Sequence, residues 1–275
     1  MAQKNRKNFS SYKKHLQGKK QNRSRGHLTM ERTIPLQEAN DRLYDIFKNH
    51  DFSHITHTER TKLAEFYQLV AKEQSKQNFT RLMKFRDFAI KHYIDCLIVS
   101  KLVDLKFPLL DIGTGPGFPG IPLKILHPNE KIYLAEGVQK RVEFLKSARE
   151  NLQLQELGIF GRNINNSFVY PVQGVITRAV EEIDNTLKNC IHSLQTGGEI
   201  YFMKGPKVGE EQNRISEEMK IYYKLEKDIE YQLPKTPHKR RLLVYKKIKS
   251  PDLKSMEWFM DRDYEAENEL KNREF

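Results

Sequence analysis

The segment DIGTGPGFPGIP, from Asp111 to Pro122, constrains the fold of this chain more than any other stretch. It contains four glycines and three prolines, and it follows the apolar run FPLL. Glycine adopts backbone conformations that other residues avoid, and it lets a ligand lie directly against the main chain. A strand that ends in such a turn and continues into a helix offers free backbone N–H groups. We therefore predict that a nucleotide-like ligand binds at this turn.

The sequence around the turn alternates between β-prone and helical segments. From Phe107 onward the β-prone runs are FPLLDI, KIYLAE, LGIFGR, GVITRA and EIYFMK, with helix-like segments such as QKRVEFLKSARENLQ between them. This alternation predicts a Rossmann-like α/β domain with a mostly parallel, doubly wound sheet over residues 105–249. The runs YKLEKDIEYQL and RRLLVYKK, joined by PKTPHK, predict an antiparallel hairpin at the end of that sheet.

Residues 34–104 have helical rather than β periodicity. The segments TIPLQEANDRLYDIFKNH, THTERTKLAEFYQLVAKEQ and RDFAIKHYIDCLIVSKLV each place apolar residues at helical spacing. The second begins with a capping box formed by Thr56 and Glu59. We expect a helical N-terminal unit in front of the α/β domain.

The two ends of the chain carry opposite charge. Residues 1–33 hold ten basic residues and one acidic residue, in a chain whose net charge is +12. The segment has too few apolar side chains to offset the entropy of ordering, so we predict a disordered basic tail that contacts a phosphate backbone. A solubilising tail is the alternative interpretation. Residues 250–275 form an acidic C-terminal tail, to which the sequence assigns no role.

Composition argues against membrane, secreted and metal-dependent classes. No apolar run approaches the roughly 20 residues of a membrane-spanning helix, and the N-terminus lacks the apolar core of a signal peptide. The two cysteines, Cys96 and Cys190, are far apart and lack metal-ligand spacing. We therefore expect a cytoplasmic protein without membrane contact or metal ion, in which both thiols are packed in the interior.

The spacing of the glycines fits two ligand patterns. From Gly115 onward the loop satisfies G-x-G-x-x-G, the dinucleotide pattern. From Asp111 onward it satisfies D-x-G-x-G-x-G, the loop of S-adenosylmethionine (SAM) dependent methyltransferases, through Gly113, Gly115 and Gly117. Glu136 follows about 20 residues later at the end of the second predicted strand, where a carboxylate accepts from ribose hydroxyls. Both ligand classes use that position, so Glu136 does not separate them.

Two features favour SAM over NAD. The carboxylate of Asp111 has no evident use beside a pyrophosphate, but it suits the ammonium group of the methionine moiety. The prolines at positions 116, 119 and 122 remove backbone donors that a pyrophosphate needs and that SAM, which has no phosphate, does not need. The sequence therefore predicts a class I SAM-dependent methyltransferase fold. NAD binding and a tight turn without any ligand stay as alternatives.

Several separated motifs together resemble the RsmG (GidB) family, bacterial methyltransferases that modify guanine N7 in 16S ribosomal RNA. The matching segments are NFT, KHYIDC, LLDIGTGPGFPGIPLKI, KRVEFL, GVITRA, MKG and LPKTPHKRRLLVYKK, and their order and spacing agree over about residues 55–248. The resemblance implies a SAM-dependent enzyme that acts on 16S rRNA or on a small-subunit precursor. We also expect a monomer.

The resemblance further implies which residues bind SAM. By position they are Gly113 and Phe118 in the loop, Asn163 and Ile164 after the third predicted strand, and Arg178 in GVITRA. The chain departs from the family pattern at positions 164–165, where an acidic residue is usual, and at AEG (135–137), where Asp-Ser is usual. We therefore expect the contacts at 163–164 to come from the backbone.

The prediction for binding of the methyl acceptor depends on two basic residues. Guanine N7 carries a free lone pair, so its methylation requires alignment of the reactants and no general base. Arg178 and Lys204 follow the fourth and fifth predicted strands, at the edge of the sheet where ligands bind. We predict that they orient guanine, whose N7 and O6 accept from arginine or lysine, or a nearby phosphate and the SAM carboxylate. The alternative is that both are ordinary surface cations at strand ends.

His92 and Asp95 lie three residues apart on one helical face, and we favour a structural role at the domain junction, with an approach to the active site as the alternative. Two other functions stay open on sequence grounds. One is an NAD-dependent oxidoreductase, favoured by the overlapping glycine pattern and by Glu136. The other is a non-catalytic ribosome-binding factor with the same fold.

Overall fold

The computed structural model describes residues 34–82, 84–178 and 181–251. The predictions for the basic tail at 1–33 and for the acidic segment beyond residue 251 lie outside the described residues.

Within the described residues, seven strands form one sheet. The strands are β1 (Leu109–Ile112), β2 (Ile132–Ala135), β3 (Leu157–Phe160), β4 (Val172–Arg178), β5 (Leu194–Lys204), β6 (Tyr223–Gln232) and β7 (Lys239–Lys247). Their order in the sheet is β3-β2-β1-β4-β5-β7-β6. Pairing is parallel from β3 to β5, whereas β7 pairs antiparallel with both β5 and β6. The predicted Rossmann-like sheet that ends in an antiparallel hairpin is confirmed.

Helices lie before and between the strands. They are α1 (Leu36–Asn49), α2 (His57–Gln77), α3 (Phe85–Phe88), α4 (Asp95–Leu97), α5 (Val99–Leu102), α6 (Gly120–Leu126), α7 (Gln139–Asn151), α8 (Ile183–Asn189), α9 (Gly209–Asn213) and α10 (Glu217–Tyr222). Helix α2 begins at the predicted capping box, in which Thr56 accepts from the amide of Glu59 and the Glu59 carboxylate accepts from the amide of Thr56. Helices α9 and α10, between β5 and β6, were not predicted.

The third predicted helix is not a single regular α-helix. Between α3 and α4 the chain forms a π-helical turn over Ala89–Ile94. At its end the amide of Asp95 donates to the carbonyls of Ile90 and His92. A π turn shifts the hydrogen bonds to wider spacing, and such turns occur frequently at functional sites. The expectation of one uniform helix in this segment is therefore corrected to a helical path with an interruption.

Apolar side chains pack on both faces of the sheet, because successive residues of a strand point to opposite faces. One cluster includes Leu109 and Leu134 and continues into the buried side chains of the N-terminal helices, such as Phe66. The other includes Leu110 and Tyr133 and the buried side of α8. The helical unit and the sheet therefore share one core, and the predicted boundary between residues 104 and 105 stays a prediction about chain organisation.

The C-terminal ends of the parallel strands meet at one edge of the sheet. Ile112 of β1 lies beside Ala135 of β2 and Thr177 of β4, and Arg178 lies beside Met203 of β5. In sheets of this type, ligands bind in the crevice outside these ends. The glycine loop begins at this edge.

In the part of the chain that the structure describes, no helix is both long enough and apolar enough to span a bilayer. The same residues contain no group of three or more histidine, cysteine or acidic side chains placed to hold a metal ion. Cys96 and Cys190 are buried free thiols, as predicted, and burial raises the pKa of Cys96 to about 12.

Candidate active site

The glycine loop connects β1 to α6 and depends on glycine at several positions. Gly113, Gly115 and Gly117 have φ values of 64°, 60° and 106°, in the region that side chains other than glycine rarely adopt. A Cβ atom on Gly117 would lie 2.5 Å from Ile121 Cδ1, and one on Gly120 would lie 2.2 Å from Leu134 Cδ2. A Cβ atom on Gly115 would meet nothing within 4 Å. The loop is therefore packed against the protein on one side and open beside Gly115.

Asp111 stabilises the loop through hydrogen bonds to two loop residues. Its side chain is fully buried, and Oδ2 accepts from Thr114 Oγ1 at 2.6 Å and from the amide of Gly120 at 2.7 Å. Burial raises the pKa of Asp111 to about 7, although these two hydrogen bonds oppose the rise. The second oxygen, Oδ1, is buried and has no hydrogen-bond partner among the described residues. The predicted contact with a ligand ammonium group stays a prediction.

Glu136 links the end of β2 to the loop. Its Oε2 accepts from the amide of Gly115 at 3.1 Å, and its Oε1 accepts from the amide of Val138 at 2.8 Å. Arg141 Nη1 lies 3.5 Å from Oε2, and the carboxylate itself is mostly buried. This arrangement fixes the carboxylate beside the open space at Gly115. Its predicted role with ribose stays a prediction.

The residues after β3 differ in exposure. Asn163 is exposed, and its amide lies so close to Gly137 that a Cβ atom there would be 2.1 Å from Asn163 Oδ1. Ile164 is buried in the second apolar cluster, and the predicted backbone contact at 163–164 with a ligand stays a prediction. Val138, which precedes α7 directly after this glycine, is 49% exposed.

The side chain of Phe118 faces the helical unit. It is buried, and its ring stacks on the His92 imidazole with centroids 4.5 Å apart and an interplanar angle of 12°. The guanidinium carbon of Arg178 lies 5.4 Å from the centre of the same ring. The Phe118 side chain is therefore packed against His92 and Arg178, and its predicted contact with a ligand stays a prediction.

Arg178, at the end of β4, contacts one turn of the N-terminal unit. Its Nη1 donates to the carbonyl of Lys91 at 3.3 Å, and its Nη2 donates to His92 Nδ1 at 3.1 Å. Nη1 is also 3.6 Å from Asp95 Oδ2, while Arg240 Nε donates to Asp95 Oδ1 at 3.2 Å. His92 and Asp95 therefore lie at the junction, as the sequence analysis favoured. The participation of Arg240 was not predicted, because nothing local marks it.

Lys204 ends β5, the strand next to β4. Its Nζ donates to the carbonyl of Glu181 at 2.6 Å and to Glu211 Oε2 at 2.7 Å. The side chain is 9% exposed, so its ammonium group is largely occupied by the protein. The structure thus connects the loop, Asp111 and Glu136 by direct contacts and joins Phe118 to Arg178. Lys204 lies on the neighbouring strand, and its predicted role stays a prediction.

Comparison with known proteins adds to this geometry. The GidB family model, described as rRNA small subunit methyltransferase G, matches residues 59–243. Ribosomal RNA small subunit methyltransferase G 2 of Bdellovibrio bacteriovorus is 54% identical over 251 residues, which cover 90% of this chain and 97% of that protein. The protein of the same name from Syntrophobacter fumaroxidans is 41% identical over 190 residues, 69% of this chain and 38% of that protein. Among solved structures, a SAM-dependent O-methyltransferase from Thermotoga maritima matches 67% of this chain and 72% of that chain, with 16% identity and a TM-score of 0.46.

Proposed function

The chain belongs to the GidB family of small-subunit rRNA methyltransferases, and we propose that it transfers the methyl group of SAM to N7 of a guanine in 16S rRNA. As a member of this family it is a SAM-dependent rRNA methyltransferase. The acceptor atom, the roles of individual residues, the monomeric state and the cytoplasmic location are our proposals.

The observation that carries the cofactor assignment is the open space at Gly115. It lies in the loop between Asp111 and Glu136, and a Cβ atom at Gly115 would meet nothing within 4 Å. The amide of Gly115 is held by the Glu136 carboxylate, and Asp111 keeps one buried oxygen without a partner. A cationic ligand with ribose hydroxyls supplies a positive charge for the Asp111 carboxylate and hydrogen-bond donors for the Glu136 carboxylate. The residues present therefore fit SAM.

On this proposal, backbone groups of Gly113, Gly115 and Phe118 hold the ligand, and Glu136 accepts from the ribose. Val138 and the backbone at 163–164 border the adenine. Bound SAM supplies an electrophilic methyl group on a positively charged sulfur. The loop contributes a fixed position for that group, since three of its glycines occupy conformations that the loop shape requires.

The acceptor needs orientation rather than deprotonation, because guanine N7 has a free lone pair. Arg178 and Lys204 are the cations at the ends of β4 and β5, and N7 and O6 of guanine accept from such groups. We assign them to the orientation of guanine or of an adjacent phosphate. The basic tail at 1–33 adds attraction for the RNA backbone that does not depend on sequence.

The two alternative functions differ in their present support. Membership in a methyltransferase family gives no support to an NAD-dependent oxidoreductase. A non-catalytic ribosome-binding factor with the same fold predicts SAM binding without methyl transfer, so it is separated by an activity measurement.

The proposal is tested by calorimetric titration with SAM and with NAD, followed by transfer of a labelled methyl group. Naked 16S rRNA and small subunits, both from a strain that lacks the enzyme, serve as acceptors. We expect SAM to bind, NAD not to bind, and label to enter at least one of the two acceptors. NAD binding without SAM binding contradicts the proposal. SAM binding without label in either acceptor favours the binding factor.

A further inference from the structure

One turn of the N-terminal unit surrounds the guanidinium of Arg178. We call the three acceptors that it presents the Arg178 socket: the carbonyl of Lys91, Nδ1 of His92 and Oδ2 of Asp95. They lie 3.3, 3.1 and 3.6 Å from the terminal nitrogens of Arg178. An arginine at the end of a strand therefore has its orientation set by a helix that precedes the strand by more than 70 residues.

The π-helical turn makes the first acceptor available. In an α-helix the carbonyl of Lys91 would accept from the amide of Asp95. Here that amide donates to the carbonyls of Ile90 and His92, and the Lys91 carbonyl accepts from Arg178. At the π-helical turn the Lys91 carbonyl therefore loses its α-helical donor, the amide of Asp95, and accepts from Arg178 of β4.

The second acceptor requires one protonation state of His92. Arginine only donates, so His92 Nδ1 must carry a lone pair, and the ring proton must be on Nε2. From there Nε2 donates to Thr80 Oγ1 at 3.0 Å, and Thr80 Oγ1 also accepts from the amide of Leu82. Burial, and then the charge of Arg178, lower the pKa of His92 well below its ordinary value. The neutral ring with this tautomer is therefore the form that the contacts select.

The same turn reaches the glycine loop and the terminal hairpin. His92 stacks on Phe118 of the loop, and Asp95 accepts from Arg240 of β7 as well as pairing with Arg178. Asp95 is buried, which raises its pKa, while Arg240 and Arg178 both favour its charged form. A movement of the Arg178 side chain would therefore disturb residues that contact both the glycine loop and the hairpin.

A long arginine side chain loses rotamer entropy when it is fixed in one orientation. In the socket that loss is incurred on folding, before any ligand binds, which is the general advantage of a pre-organised site. The side chain of Arg178 keeps 19% of its surface exposed, so it is not sealed from a ligand.

We propose that His92 and Asp95 are positioning residues that hold Arg178 in its working orientation, with His92 also fixing Phe118 of the glycine loop. The inference rests on the proposed function, in which Arg178 contacts SAM or the acceptor. It goes beyond that function because it assigns roles to two residues that the proposed function does not use.

The test compares two substitutions of His92. His92→Phe keeps a flat ring against Phe118 but removes the acceptor for Arg178. His92→Asn places an amide oxygen near the position of Nδ1 and removes the ring. SAM dissociation constants and single-turnover methyl transfer to small subunits are measured, with thermal unfolding as the folding control. We expect His92→Phe to lose about 10- to 100-fold in SAM affinity or in transfer rate, and His92→Asn to recover most of that loss.

A double-mutant cycle with Arg178→Met separates positioning from general destabilisation. If His92 acts through Arg178, His92→Phe has no further effect on SAM affinity or rate in the Arg178→Met background. Asp95→Asn, which keeps the shape and loses the charge, should show the same dependence and covers the case in which His92→Phe does not fold. The proposal is overturned if the losses caused by His92→Phe and Arg178→Met multiply in the double variant. It is also overturned if His92→Phe and Asp95→Asn each keep SAM affinity and transfer rate within about twofold of the native protein.

The cycle also distinguishes failure of the socket from failure of the proposed function. If native protein transfers no methyl group to any acceptor, the function fails, and the socket is judged on SAM affinity alone.

Discussion

The glycine loop and the Arg178 junction lie at the same edge of the sheet but are built in opposite ways. The loop is local: Asp111 accepts from both Thr114 and Gly120 within ten residues of chain. The junction is assembled over long separations, since Arg178 contacts Lys91 across 87 positions and Arg240 contacts Asp95 across 145. The loop shape is therefore set by backbone conformation, and the junction by the topology of the sheet.

This difference predicts separate roles for the glycine loop and for the cations at the ends of β4 and β5. The loop borders open space at Gly115, where we propose that SAM lies against the backbone, whereas the side chains of Arg178 and Lys204 are already paired with protein groups. Loop variants should therefore change SAM affinity, whereas a variant of Lys204 at the end of β5 should change use of the acceptor with little change in SAM affinity. The following changes test those separate roles in order of expected effect.

Gly115→Asn should have the largest effect. Asparagine tolerates the left-handed backbone at this position, and its side chain would enter the open space and exclude the ligand. We expect SAM affinity to fall by about 100-fold or more in calorimetric titration. The matched control is Gly197→Asn, at a glycine that also has positive φ and open surroundings but lies in the N-terminal half of β5. Similar loss of SAM affinity in both variants would show that the space at Gly115 is not the ligand site.

Lys204→Met tests the acceptor side. Removing the ammonium group should slow methyl transfer by about 30-fold, the equivalent of one charge-assisted hydrogen bond, with little change in SAM affinity. Lys220→Met is the matched control, because Lys220 also pairs with a glutamate, Glu217, on an exposed helix. Single-turnover rates and SAM affinities are compared for both. Equal rates in the two variants would leave Lys204 as a structural lysine.

Asp111→Asn tests the loop through pH. The carboxyl pKa is about 7 in the folded protein, above its ordinary value, so the folded state binds the extra proton between about pH 4 and 7. The unfolding free energy of the native protein should therefore fall as pH rises through this window, and Asp111→Asn should remove that fall. A ligand ammonium group favours the ionised carboxylate, so native SAM affinity should rise about 5-fold from pH 6 to 7 and stay flat in Asp111→Asn. Parallel pH profiles in the two proteins would contradict a role for the Asp111 charge.

Deletion of residues 1–30 should have the smallest effect. The truncated protein should bind small subunits about 3- to 5-fold more weakly at moderate salt, with a flatter dependence on salt concentration and unchanged SAM affinity. Binding is followed by filter retention over a salt series. An unaltered slope would assign the tail a role other than RNA contact.

The sequence was sufficient for the fold and the loop because both leave periodic or conformational signals. All seven strands follow β-prone runs, and the loop has glycine where φ is positive. The capping box at Thr56 was equally visible, since its two partners are three residues apart.

The remaining parts depend on contacts that no local pattern records. Arg240 reaches Asp95 only because β7 inserts beside β5 in the sheet. The burial of Phe118 and the use of the Lys91 carbonyl depend on how the helical unit packs on the loop and on a π turn within it. Sequence reasoning named His92, Asp95 and Arg178 separately, but their common site required the three-dimensional arrangement.

The central claim is methylation of guanine N7 in 16S rRNA, and the most direct measurement is mapping of that RNA. Small subunits from a strain that lacks the enzyme are incubated with protein and SAM, and RNA fragments are analysed by mass and by scission after borohydride and aniline treatment. We predict one guanine-containing fragment that gains a single methyl group and is cleaved at that guanine, with no gain in the Gly115→Asn variant. A methyl gain without scission, or a gain on a fragment that lacks guanine, would contradict the account.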